Sequence, residues 1–146
     1  MDHLKLHPSE LLQQMRERRP LVQCLQNMVS MDITANLLLA LGASPAMVSS
    51  PDETPEFLPK ADVLYVNMGT LTPQRIAEIE VATREAQRTG KPWVLDPVAC
   101  GSTSSRKAQC VAAMQCRPTI VRGNASEIVA LAEACAKYEG GAETSA

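Results

Sequence analysis

The chain has 146 residues, is 45% hydrophobic and 21% charged, and carries a net charge of −2, which fits one ordinary globular domain able to bury a core. No basic block speaks for nucleic acid or an acidic membrane surface, and the longest apolar run, Leu37 to Leu41, falls far short of the roughly 20 residues that span a bilayer. Nothing in Met1-Asp2-His3-Leu4-Lys5 resembles a secretory or transit leader, so the expected location is cytoplasmic.

In chain order, Ser9 can cap a first helix that runs to about Arg19 and stops at Pro20. Leu21 to Leu25 reads as a short buried strand, Asp32 to Leu41 as a helix closed by Gly42, and Pro45 to Val48 as a second strand. A proline-interrupted connection, Asp52 to Lys60, leads to a third strand, Asp62 to Val66. Thr72 then caps a long helix with Pro73 at its first position, ending at Thr89 before Gly90. Pro92 to Leu95 is a fourth strand. A flexible stretch, Gly101 to Ser105, precedes a helix over Arg106 to Gln115. Thr119 to Val121 is a fifth strand, and a last helix opens after Asn124. Residues 1–20 form an N-terminal helical segment, 21–136 the α/β domain and 137–146 a polar tail.

Short apolar strands alternating with amphipathic helices imply an α/β fold, a parallel sheet with helices on both faces. Its crossovers are right-handed, so every strand's carboxyl end faces one edge, where such sheets bind ligands. Polar residues and glycines follow each strand: Gln26-Asn27, Met47, Asn67-Met68-Gly69-Thr70, Asp96 and Arg122-Gly123-Asn124. Singly these read as turn residues, and Met47 as core.

The five cysteines, at 24, 100, 110, 116 and 135, form no Cys-x-x-Cys pair, and the two histidines lie near the N-terminus. They make no recognisable zinc site and read as reduced, mostly buried thiols. Asn124 and Glu127 spell a capping box, with Gly123 expected to supply an unusual backbone angle. Beside them stand Asp96 and Arg122. Two carboxylates and a guanidinium suit a water-held Mg²⁺ bound together with phosphate, and equally suit a structural ion pair. A helix N-terminus at Ala125 adds N–H groups favourable to anions.

Four stretches carry a resemblance: "NMVSMDITANLLLALGASPAMV" (27–48), "NMGTLTP" (67–73), "GKPWVLDPV" (90–98) and "RGNASEI" (122–128). Over 23–132 the chain resembles hydroxyethylthiazole kinase, a member of the ribokinase-like superfamily. The resemblance implies ATP-dependent phosphorylation of the hydroxyl of 4-methyl-5-(2-hydroxyethyl)thiazole in thiamin biosynthesis or salvage, assisted by Mg²⁺, in a homotrimer. By motif position it places Met47, Asn27 and Gly69 on the thiazole and Arg122 and Asn124 on ATP. Asp96 and Glu127 would hold the metal through water.

The sequence departs from that family in two ways. The family's later strands and its Gly-x-Gly-Cys anion hole have no counterpart, and none of the five cysteines has that context. The expectation is therefore a truncated fold, an N-terminal half with no catalytic residue of its own. Cys100, Ser104 and Ser105 also stand where relatives have a small residue and a proline-aromatic pair, which leaves that loop's role open. Two other readings fit the same residues. One is a non-catalytic binding or subunit-association module. The other is a related kinase, such as one acting on hydroxymethylpyrimidine, against which "LGASPAM" speaks.

Overall fold

A computed structural model describes residues 7–142, with side chains placed through 138. Five parallel strands, β1 (Leu21–Leu25), β2 (Ser44–Ala46), β3 (Val63–Asn67), β4 (Trp93–Asp96) and β5 (Ile120–Val121), form one sheet in the order β2-β1-β3-β4-β5. The helices are α1 (Pro8–Arg18), α2 (Met31–Leu41), α3 (Thr54–Phe57), α4 (Pro73–Thr89), α5 (Ser104–Gln115) and α6 (Ala125–Ala142). A single 3₁₀ turn, Leu58–Lys60, extends α3. The expected α/β architecture is present. Among the described residues no helix is long and apolar enough to cross a membrane.

The caps explain the helix limits. Thr72 Oγ1 accepts the Arg75 N–H at 3.1 Å to start α4, and Thr103 Oγ1 accepts the Arg106 N–H at 3.1 Å to start α5. Thr103 therefore begins α5 inside the stretch expected to be flexible. Ser9 is not the cap of α1. His7 holds that position, and its own N–H is bonded by Glu10, which puts Ser9 in the first turn. At the other end α6 runs to Ala142, into the stretch read as a polar tail. Positions 143–146 of that tail, and 1–6 of the N-terminal segment, lie outside the described residues.

Strand pairing sorts the side chains onto two faces, because alternate residues point oppositely and paired residues of parallel strands share a face. Leu25, Val66, Leu95 and Val121 lie in register on one face. There α4, α5 and α6 close over a core that includes Leu64, Ile79, Ala82, Trp93, Cys110 and Leu131. Cys24, Tyr65, Val94 and Ile120 lie in register on the other face. α1 and α2 cover only its β1–β2 side, through Met15 and Leu38 against Val22, Cys24 and Ala43. Toward β5 this face opens, and Ile120 is 56% exposed.

Candidate functional site at the carboxyl edge

Four of the five strands, β1, β3, β4 and β5, send a polar residue to the same edge, and the side chains of Asn27, Asn67, Asp96 and Arg122 join. Asp96, at the end of β4, is 2% exposed, a burial that a carboxylate tolerates only with good partners. Its Oδ2 accepts three hydrogen bonds: from the Tyr65 hydroxyl at 3.0 Å, Asn67 Nδ2 at 3.1 Å and Arg122 Nη1 at 2.8 Å. Oδ1 has no partner among the described residues, so one oxygen is held while the other stays available. Asn67 Oδ1 in turn accepts Asn27 Nδ2 and the Gly69 N–H, both at 2.9 Å. Asn27 Oδ1 caps the turn before α2 by accepting the N–H groups of Val29 and Ser30.

Tyr65 and Arg122 show how this network distributes charge. Burial, reinforced by the neighbouring Asp96 charge, pushes the Tyr65 phenol above its ordinary pKa, so it stays a donor. The Arg122 guanidinium is held more firmly protonated by its bond to Asp96. Its side chain is nevertheless 72% exposed against 3% for Asp96. The exposed end of Arg122 can reach a ligand, but the buried Asp96 would then need another positive partner, such as a cation at its free oxygen.

Glu127 sits across the same cavity, in a complete capping box. Its Oε2 accepts the Asn124 N–H at 2.9 Å, while Asn124 Oδ1 accepts the Glu127 N–H at 3.0 Å. Oε1 accepts the Ala99 N–H at 2.9 Å, which ties the loop after β4 to the start of α6. Gly123 takes no positive φ, contrary to expectation; Gly42 and Gly90 do. Its reason is proximity, since a Cβ there would lie 3.0 Å from Glu127 Oε2. Gly69 is the stricter case: a Cβ would meet Asn27 Cβ at 2.7 Å and Asn67 Oδ1 at 2.9 Å. Two non-glycine residues beside the site, Thr70 (φ 50°) and Ala99 (φ 53°), occupy the left-handed region. Each holds on the order of 1 kcal/mol of strain, of a kind that gathers at functional sites.

Asn67, Asp96, Val98, Arg122, Asn124 and Glu127 line one cavity of about 410 Å³. Asn27 lines another, of about 210 Å³, with Gln26, Thr70 and Arg75. The Asn27–Asn67 bond links the walls of the two. Met47, just past β2, is half-buried against the Val22–Cys24–Ala43 cluster, against which Tyr65 also packs, and lines neither cavity. By sequence alone Asn67 is a turn residue, and Tyr65 and Ala99 carry no role. The signal for the first two is the alternation along β3, which puts residues 65 and 67 on the face that carries Asp96.

The donor set fits a cation held mainly through water. Among the described residues no group of three His, Cys, Asp or Glu side chains could cage a metal. Asp96 Oδ1 is open, but each Glu127 oxygen already serves a backbone N–H and retains one lone-pair direction. Mg²⁺, which keeps most of its waters, suits such a site.

The model of the "Hydroxyethylthiazole kinase family" matches residues 12–145. A hydroxyethylthiazole kinase of Rhizobium johnstonii is 51% identical over 125 residues, which are 86% of this chain and 47% of that protein. One from Zea mays is 52% identical over 122 residues, 84% of this chain and 42% of the relative. A solved structure of a hydroxyethylthiazole kinase protein from Pyrococcus horikoshii superposes with a TM-score of 0.83 at 41% identity. It covers 92% of this chain and 52% of the other. The chain thus spans about half the length of the relatives it matches.

Proposed function

The chain belongs to the hydroxyethylthiazole kinase family, and from that premise we propose that it serves the ATP-dependent phosphorylation of the thiazole alcohol's hydroxyl, 4-methyl-5-(2-hydroxyethyl)thiazole being the substrate. The observation that carries this reading is the single cavity in which buried Asp96, exposed Arg122 and the Asn124–Glu127 helix start converge. Anionic phosphates are drawn there by Arg122 and by the first N–H groups of α6. Asn124 would add its side-chain Nδ2, since its Oδ1 is already spent on Ser126 and Glu127. Asp96 and Glu127 would hold Mg²⁺ through water, and the ion supplies neutralisation of phosphate charge.

Thiazole contacts are assigned to Met47, Asn27 and Gly69. Met47 offers a soft thioether beside the network, and Gly69 leaves a gap that no side chain could occupy. No residue of the chain is assigned to proton transfer at the hydroxyl. That group and the anion hole are inferred to come from the part of the fold that the relatives carry beyond the matched region. Assembly into a homotrimer is supported by the exposed apolar residues Ile33 and Leu37 on α2, with Val29 in the turn before it, exposed by 69, 57 and 91%.

Equilibrium binding tests the assignment. Arg122→Ala and Asp96→Asn should each weaken Mg·ATP binding about ten- to a hundredfold, the range for charge-assisted hydrogen bonds, while thiazole binding is retained. Met47→Ala should do the reverse. If all three variants lose the same ligand, the division is wrong. Robust turnover by these 146 residues alone would overturn the inference that the hydroxyl-side groups lie elsewhere.

A further inference from the structure

The bond between the two cavities has a function of its own: we infer that Asn67 is a positioning residue that couples the thiazole side of the site to the metal-and-phosphate side. This rests on the functional reading above. Asn67 is 5% exposed, and every polar atom of its side chain is used. Oδ1 accepts from Asn27 Nδ2 and from the Gly69 N–H, two groups assigned to thiazole, and Nδ2 donates to Asp96 Oδ2. The donor directions are fixed from both ends. Asn27 Oδ1 already serves two backbone N–H groups, so its Nδ2 must donate to Asn67. Asp96 Oδ2 takes two further donors, so Asn67 must donate to it.

Only a side chain with an acceptor and a donor at this spacing satisfies both neighbours. Aspartate has the same shape but no donor, and it would set a second carboxylate against Asp96. Alanine would leave Asn27, Gly69 and Asp96 each short of a partner in a buried place. The Asn67 amide thus fixes how far the loop after β1, the loop after β3 and the Asp96 carboxylate stand from one another. Asp96 Oδ1 is the oxygen left to face a bound cation. A hydroxyl and a phosphate brought to the two sides meet in register only while this amide holds.

A donor–acceptor swap tests the coupling. Asn67→Asp should weaken binding of the thiazole alcohol about three- to tenfold, the worth of a lost buried hydrogen bond, although position 67 is assigned no direct thiazole contact. It should also lower the melting temperature. Adding Asp96→Asn reverses the polarity of the bond: the amide at position 96 donates to the carboxylate at 67 and to the Tyr65 oxygen, while Arg122, largely in water, turns to the remaining oxygen. The double variant should regain thiazole affinity to within about twofold and recover the melting temperature, while Mg·ATP binding stays weak. Single and double variants with the same thiazole affinity would overturn the coupling. If the wild-type chain binds no thiazole alcohol but the swap restores the melting temperature, the functional reading fails and the wiring stands. If the swap restores neither, the positioning role is gone.

Discussion

The two faces of the sheet are built from the same strands and come out differently. On the α4–α6 side, Leu25, Leu64, Val66, Trp93 and Leu95 are at most 1% exposed, and the buried Glu78 and Glu85 of α4 pair with Arg75 and Arg88. On the other side, Val94 and Tyr65 are half-buried and Ile120 is open, yet this face carries Asn67, Asp96 and Arg122. The packed core lies on the first face and the residues proposed to bind ligands on the second. The division follows from the cost of burial. A carboxylate three bonds deep needs water or a ligand at its free oxygen, and a fully covered face offers neither.

The largest expected difference between the faces is a truncation pair. Trp93→Ala removes a ring that is 1% exposed, with its Nε1 donating to the Cys116 carbonyl, and should cost about 3–5 kcal/mol in chemical denaturation. Val94→Ala, the next residue on the opposite face, should cost about 1 kcal/mol or less. Equal losses would mean that the open face is packed as tightly as the covered one.

A pH experiment sharpens the boundary where the second face is covered. Burial under α2 pushes the Cys24 thiol up from 9.0 to about 11, so the neutral form is favoured in the fold. The associated stability is fully present below pH 9, where the unfolded thiol is also neutral. It is lost as pH rises from 9 to 11, by on the order of 2 kcal/mol. Cys24→Ala should flatten that part of the stability profile relative to wild type. Parallel profiles would mean that water reaches the thiol and that α2 does not seal this side.

The smallest effect on folding is expected at the open margin. Ile120→Thr should change stability by no more than about 0.5 kcal/mol, because the side chain is already largely in water. The same substitution should reduce self-association in sizing chromatography, since β5 is the outer strand among the described residues and Ile120 on it is exposed. Unchanged association would move the sticky surface to the α2 row.

Periodicity and caps were enough to lay out the elements and the parallel sheet. Thr72 with Pro73, and Asn124 with Glu127, mark helix starts through local hydrogen bonds that depend on sequence spacing alone. Local rules also account for the errors. Ser9 lost its cap to His7, and Thr103 captured an N–H that put Ser104 and Ser105 into α5. In both places a hydrogen bond between exposed residues three apart sets the helix start. Asp96, Arg122 and Glu127 were legible as a cluster because a parallel sheet delivers every strand's end to one edge. What spacing could not show is how they are joined. Tyr65 and Asn67 reach Asp96 from 31 and 29 residues away. Only strand register decides that both lie on its face. Gly123 makes the same point: its place near the turn was readable, but the reason for a glycine is the Glu127 carboxylate folded back against it. Sequence determines what its near neighbours can satisfy, and only the tertiary structure decides which distant groups must satisfy one another, because a buried polar atom takes whichever partner the sheet brings within about 3 Å.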